Sequence, residues 1–317
     1  MTEPTPAEQL WNLMRGALAA RALGVVAELR VADALASGPR AVEEVAREAG
    51  ADPDTLCRFL RALASDGVFS EDEPGVFRNT EASELLRGDG WSDFAHLFGG
   101  VWHRAIAELD ASSGDSVFPS TFGTDFWAWL AEHPEERAAF DRAMEQGKER
   151  RIERLAGVDW RGDETVVDVG GGNGSLLREL LGRHPDLRGI VFDLPETVRD
   201  ESTFGDRCTF VAGDFFESVP AGDVYVLSTI LHDWDDERAA AILRTIRAHA
   251  PAGTRVLVID AVVQPGNDPQ GAKWLDLLML TLAGGRERDE AQWRALLDRA
   301  AIVPVRIEDG LIEATCR

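Results

Sequence analysis

A single histidine, His232, lies in Leu231-His232-Asp233-Trp234-Asp235-Asp236-Glu237. Before it runs Val224-Tyr225-Val226-Leu227, an apolar stretch that reads as a buried strand, and after it an amphipathic run from Arg238 to Ala250 that reads as a helix. A histidine there sits on the loop leaving the carboxyl end of a strand, where open α/β sheets place ligands and chemistry. Imidazole titrates near neutrality, so it suits a base that takes a proton from a hydroxyl. About sixty residues upstream, Asp168-Val169-Gly170-Gly171-Gly172-Asn173-Gly174 forms a glycine-rich turn. Glycines after a strand let the backbone approach a ligand closely, and the next helix aims its N-terminus at it.

The glycine spacing is Gly170-x-Gly172-x-Gly174, with Ser175 where the dinucleotide fingerprint has glycine or alanine. That variant suits a nucleoside without a pyrophosphate, such as S-adenosylmethionine; a tight βα turn with no ligand is the alternative. Asp193 ends a further strand, 19 residues after Gly174, where an acid takes ribose hydroxyls by accepting two hydrogen bonds from the diol. Gly213-Asp214-Phe215-Phe216 follows the next strand. Asp214 there suits the adenine amine, or a turn cap, and Phe215 suits the purine face. Three such features on consecutive strand ends point to bound adenosine.

The elements that must position these groups alternate from residue 163 onward. Strands are expected at 165–169, 189–193, 208–212, 224–227 and 255–260, helices at 175–182, 238–250, 272–282 and 289–300, and a closing hairpin at 303–308 and 311–315. Repeated βα units imply a parallel sheet covered on both faces. Residues 8–37 carry apolar residues at helical spacing on more than one face, as in helices buried in an interface. A helix closed by Gly50, a second opened by Asp52-Pro53, and a short hairpin through Phe69 and Phe77 follow in the order of a winged helix. Residues 91–155 form a helical connection rich in large apolar groups, able to wall a pocket for a flat apolar ligand. The expected domains are 1–92, 93–155 and 156–317.

The net charge of −23 repels nucleic acid and anionic membranes. Residues 1–90 hold 9 Lys and Arg against 16 Asp and Glu, so the winged helix is expected to dimerise rather than bind DNA. No apolar run reaches the length of a membrane span. The three cysteines, Cys57, Cys208 and Cys316, are widely spaced and odd in number, which fits reduced thiols in the cytoplasm, and no Cys/His cluster has metal spacing.

Taken in order, Asp168-Val169-Gly170-Gly171-Gly172-Asn173-Gly174, Phe192-Asp193-Leu194-Pro195, Gly213-Asp214-Phe215-Phe216, Leu231-His232-Asp233-Trp234 and Gly284-Gly285-Arg286-Glu287-Arg288 resemble the class I S-adenosylmethionine-dependent O-methyltransferases. The chain looks like the caffeic-acid-type plant enzymes and the bacterial small-molecule enzymes that tailor aromatic polyketides and related natural products. The resemblance covers nearly the whole chain. It implies a Rossmann-like, mostly parallel seven-stranded sheet after an N-terminal winged-helix, mainly helical dimerisation domain, and hence a homodimer. It implies His232 as general base with Asp260 and Glu287 orienting it. Gly170, Gly172, Asp193, Leu194, Gly213, Asp214, Phe215 and Ser228 would meet the cofactor. Trp102, Phe126, Phe140, Met144, Asp233, Trp274 and Met279 would meet the substrate. Asp233, Asp235 and Asp236 also read as acids complementing a helix N-terminus rather than as catalysts, and Trp234 as packing. Ser228 departs from the pattern, since many members carry Lys or Arg there.

Four readings follow. The first is methylation of a phenolic or enolic hydroxyl of an aromatic natural product without a metal. The second is an enzyme of the same fold that uses the cofactor for pericyclisation, decarboxylation or hydroxylation. The third is a cofactor-sensing regulator, against which the acidic N-terminal region argues. The fourth is a nicotinamide dehydrogenase, which the glycine spacing disfavours.

Overall fold

The computed structural model describes residues 4–112, 114–195, 197 and 205–317. The chain forms two compact units: Met1–Glu108 with Glu132–Gln146, and Leu109–Ala131 with Gly147–Arg317. The helical connection anticipated at 93–155 is thus divided between the two. Among the described residues no helix is long and apolar enough to cross a membrane.

In the first unit the local signals act as the sequence dictates. Asp52 caps helix Pro53–Ser65 by accepting from the Thr55 N–H at 2.8 Å, and Pro53 occupies the first turn, where no N–H is needed. Gly50 closes helix Val42–Ala49 in the left-handed conformation at φ 68°. These helices pack Val45, Leu56, Leu60 and Leu63 against Val26, Leu35, Phe69 and Phe77. Strands β1 (Arg40–Ala41), β2 (Phe69–Glu73) and β3 (Val76–Asn79) form an antiparallel sheet in the order β1-β3-β2. Helix, turn, helix and wing are therefore all present. Arg61, on the second helix, is paired with Glu71 of the wing at 2.8 Å, which offsets its charge. Helix Pro6–Met14 buries none of its side chains, and Leu10, Trp11, Leu13 and Met14 are each more than 60% exposed.

Helices Gly16–Glu28 and Trp91–Gly99 meet backbone to backbone. A Cβ on Gly99 would lie 2.7 Å from Gly24 Cα, and one on Gly24 would lie 2.9 Å from Gly99 Cα.

The second unit is built on β4 (Thr165–Val169), β5 (Arg188–Asp193), β6 (Cys208–Ala212), β7 (Val224–Ser228), β8 (Arg255–Ile259), β9 (Ile302–Glu308) and β10 (Leu311–Cys316). Their order is β6-β5-β4-β7-β8-β10-β9. The first five are parallel, and β10 runs antiparallel between β8 and β9. Strand alternation sorts the apolar residues into two cores. Val167, Val169, Tyr225, Leu227, Val256 and Val258 join helices Asp236–His249 and Glu290–Arg299. Val166, Val224, Val226, Leu257 and Ile259 join helices Lys148–Ala156 and Ser175–Arg183. Both faces are buried, as unbroken apolar strands require. The strand order reverses between β4 and β7, which opens a crevice at their carboxyl ends.

Gly99→Val inserts branched bulk where two backbones touch. It is expected to destabilise the first unit by about 1–3 kcal/mol, read as a lower Tm in thermal denaturation. An unchanged Tm would show that the helix pair separates at no cost.

Candidate active site

The two turns at the reversal point carry the chemistry-bearing residues. The glycine turn follows β4 and the His232 loop follows β7. They touch directly: a Cβ on Gly170 would lie 2.4 Å from Ile230 Cδ1. Thr229, the first residue past β7, is left-handed at φ 55°, a strained conformation for a β-branched side chain. Its N–H donates to the Ile259 carbonyl at 2.9 Å and its hydroxyl to the Ser228 carbonyl at 2.6 Å. The bend turns Leu231–Asp233 into one short 3₁₀ turn with Leu231 and His232 buried.

His232 Nδ1 lies 2.7 Å from Glu287 Oε1 and 3.9 Å from Asp260 Oδ1, while Nε2 lies 3.5 Å from Asp233 Oδ1. An ionised carboxylate only accepts, so Nδ1 carries a proton given to Glu287, and Nε2 is the nitrogen that gains or loses the second one. Asp260 and Glu287 are both buried. Neither Asp260 oxygen has a hydrogen-bond partner, so Asp260 acts on the imidazole as a charge rather than as a ligand. Burial is the largest influence on His232 and disfavours its charged form, but Asp260, Asp233 and Glu287 together outweigh it and push its pKa up to about 10. Burial pushes Asp260 up to about 7 and Asp233 up to about 6, opposed in each case by the nearby imidazole.

The segment that supplies Glu287 also holds the backbone of the histidine. The Arg286 N–H donates to the His232 carbonyl at 2.8 Å. A Cβ on Gly285 would lie 2.1 Å from that same oxygen, so only glycine admits the approach. The Glu287 N–H donates to Asp276 Oδ1 at 2.7 Å. Arg288 is wholly buried and donates to the carbonyls of Leu231 and Trp234 and to Asp236. Asp276, Gly285 and Arg288 were not among the expected site residues. Only Gly285 and Arg288 carried a sequence signal, their place beside Glu287.

On the cofactor side, Gly170, Gly172 and Gly174 are all left-handed, at φ 71°, 58° and 72°. A side chain at Gly172 would meet nothing within 4 Å, so open space adjoins the turn. Asp193 accepts from the N–H groups of Gly172 and Leu194 at 2.8 and 2.7 Å. This fixes its carboxylate across the mouth of the turn. Gly213 lies against the Phe192 ring, which a Cβ would approach to 2.6 Å. Asp214 accepts from the Phe216 N–H at 2.8 Å, as a turn cap does. Phe215 stands edge-on to Trp234 at 6.1 Å. The Ser228 hydroxyl is buried without a hydrogen-bond partner at the end of β7. Open space, a fixed carboxylate and an unsatisfied hydroxyl fit a polar nucleoside. Among the described residues no group of three or more metal-ligating side chains is assembled.

The expected substrate contacts fall in both units. Trp102, Phe140 and Met144 belong to the first, with Trp102 buried and the other two half-buried. Phe126, Asp233, Trp274 and Met279 belong to the second. Phe126 lies edge-on to Phe118 and Trp127, and Trp127 stacks toward Trp234 at 6.5 Å. On helix Ala272–Ala283 Met279 is buried whereas Trp274 is 67% exposed. Asp235 is the N-cap of helix Asp236–His249, accepting from the N–H groups of Glu237 and Arg238.

Comparison with known proteins gives a consistent result. Residues 102–302 match an O-methyltransferase domain and residues 11–89 an O-methyltransferase dimerisation domain. The phenazine O-methyltransferase PhzM of Lysobacter antibioticus is 39% identical over 301 residues, covering 90% of this chain and 88% of that protein. The crystal structure of LaPhzM superimposes with a TM-score of 0.93 at 37% identity, over 99% of this chain and all of that one. NcsB1, an O-methyltransferase from neocarzinostatin biosynthesis in complex with S-adenosyl-L-homocysteine and 1,4-dihydroxy-2-naphthoic acid, superimposes with a TM-score of 0.82 at 36% identity, over 94% of this chain and 96% of that one.

A histidine whose pKa is raised in the folded state stabilises the fold below its unfolded value of about 6.5, and that contribution is lost as pH rises through about 10. By NMR the His232 imidazole is therefore expected to stay protonated well above pH 8, and Glu287→Gln is expected to lower its midpoint. A midpoint at or below 6.5 in the unaltered protein would contradict the charge arrangement.

Proposed function

Since this chain belongs to the O-methyltransferase family, we propose that it moves a methyl group from S-adenosylmethionine to a phenolic or enolic hydroxyl of an aromatic natural product, with His232 as the general base. The observation that carries this reading is the buried imidazole, its Nδ1 fixed by Glu287 at 2.7 Å and its Nε2 left as the nitrogen that exchanges a proton. The substrate class rests on the relatives, which include enzymes named for phenazine, naphthoate and aminohydroxybenzoate substrates.

When bound, the cofactor supplies an electrophilic methyl group on a sulfonium. The residues that would hold it are Asp193 at the ribose, Asp214 and Phe215 at the adenine, and the turn Gly170–Gly174 alongside. The work left to the protein is to deliver an oxygen carrying a usable electron pair, in line with that methyl. His232 does so by taking the hydroxyl proton at Nε2 when its imidazole is neutral, or, when that nitrogen already carries a proton, by pairing with an acceptor bound as its phenolate. A phenol ionises near pH 10, so transfer to an ordinary histidine would be uphill by roughly 5 kcal/mol. With the imidazole pushed up to about 10, the transfer is nearly level. Phenolate beside imidazolium and phenol beside imidazole are the same complex, with one proton held between oxygen and Nε2. Asp260 and Glu287 hold the imidazolium, and burial keeps water from competing for the proton. The protein acts by orientation and proton transfer, effects worth about 10²–10⁴-fold for the base alone.

We further infer that two copies associate through the dimerisation domain at 11–89. The apolar side chains of helix Pro6–Met14, all left exposed in the single chain, support this.

His232→Ala is expected to lower kcat by about 10²–10⁴-fold while the calorimetric Kd for S-adenosylmethionine stays within a few-fold. Asp193→Ala should abolish that binding. Undiminished methylation by the first variant, scored by product mass, would sink the base assignment; unchanged affinity in the second would sink the cofactor site. For association, sedimentation velocity should show a dimer, which Trp11→Glu shifts toward monomer. A monomer at all concentrations would refute it.

A further inference from the structure

We propose that Arg288 is the positioning residue of the reaction, fixing the backbone on both sides of His232 so that Nε2 is held at the reacting oxygen. The role rests on the assignment of His232 as the base. Residues 231–234 have left β7 and make no sheet hydrogen bonds, yet Leu231 and His232 are buried. Their carbonyls need donors, because a buried carbonyl without one is costly.

Arg288 supplies donors to two carbonyls of this stretch, those of Leu231 and Trp234, from one side chain, and the Leu231 carbonyl also accepts from the Trp234 N–H at 3.4 Å. Its Nη1 donates to the Leu231 carbonyl at 2.9 Å and its Nη2 to the Trp234 carbonyl at 2.9 Å, so the guanidinium brackets His232 in sequence. Nη1 also reaches the Arg286 carbonyl at 3.3 Å, and Nε donates to Asp236 Oδ1 at 3.0 Å. The guanidinium is fully buried, its carbon lies 5.3 Å from the Trp293 ring centre, and Asp236 supplies the counter-charge. A planar fork can span two carbonyls and a carboxylate at once. A lysine ammonium, with three donors on one atom, cannot. Arg288 touches neither the imidazole nor the reacting atoms, so it acts through His232. Its neighbours complete the hold: the Arg286 N–H takes the His232 carbonyl, and Glu287 takes Nδ1. Three consecutive residues, Arg286 to Arg288, thus set the place and tilt of one ring.

The test is a double-mutant cycle with Arg288→Lys and His232→Ala in the full-length protein. A misplacement on the order of 1 Å costs about 10²-fold, so Arg288→Lys is expected to lower kcat by about that factor. The KM for a phenolic acceptor and the Kd for S-adenosylmethionine should move only a few-fold. In the His232→Ala background the same substitution should cost almost nothing further, because there is no base left to place. An electron-poor phenol already ionised at the assay pH should show a much smaller loss. If the Arg288→Lys losses multiply with those of His232→Ala, or fall equally on ionised and un-ionised acceptors, the positioning role is overturned while the base assignment stands. If His232→Ala itself costs nothing, the base assignment is what fails. Should Arg288→Lys not fold, Asp236→Asn, which removes the counter-charge at the protein's edge, is carried through the same cycle. It is expected to give a smaller loss of the same non-additive kind, and additivity would again overturn the proposal.

Discussion

The candidate site of the second unit answers to one electrostatic constraint: a buried imidazole lies among three carboxylates. Desolvation pushes the imidazole toward neutrality and Asp260 and Asp233 toward protonation, and their mutual proximity opposes both shifts. Such a cluster is stable only if its members cannot move apart. Their spacing is set by backbone. Asp260 is tied to β8, Asp233 and His232 to the turn after β7, and Glu287 to a segment hydrogen-bonded to that same turn. The electrostatics demand rigidity, and the hydrogen-bonded loops supply it.

The sheet order explains why this cluster and the glycine turn share one crevice. The chain proceeds from β4 outward through β5 and β6, then returns to place β7 on the other side of β4. The loops leaving β4 and β7 therefore diverge to opposite faces and leave a gap between them. In this protein the gap is tuned by contact. Gly170 has room for no side chain against Ile230, and Thr229 accepts an unfavourable backbone conformation to bend the histidine turn into place. The five parallel strands, buried on both faces, form the stiff base from which these adjustments are made.

Much of this was legible in the residues themselves. The alternation of β4 through β8, the glycine turn, the acid ending β5 and the histidine after β7 are local signals, each written in a few neighbouring residues. The caps at Asp52 and Gly50 were legible for the same reason, whereas Asp235 read only as an acid near a helix N-terminus and is its cap. What was not legible depends on distant segments meeting. Nothing in Gly284-Gly285-Arg286-Glu287-Arg288 tells which side chains face inward, so Glu287 was found by resemblance and Arg288 passed over, although it is the more deeply buried of the two. Asp276 reads as one more polar position on a helix until the Glu287 N–H is seen to meet it. The apolar connection at 93–155 read as one segment. The fold divides it, because apolar composition reports that a residue is buried but not against which core.

Asp260 has a peculiarity with a wider use. Both its oxygens are buried without any donor, and the nearest imidazole nitrogen is 3.9 Å away. Most acids near a catalytic base do two things at once, holding its orientation through a hydrogen bond and biasing its charge through their field. Here the two kinds of contact are divided between residues: Glu287 meets the imidazole through a hydrogen bond, and Asp260 lies 3.9 Å from it. Replacing that carboxylate by an amide of the same shape would dim the local potential without loosening the ring. The site is thus a natural instrument for weighing field against geometry, in which one can be turned down while the other is left alone.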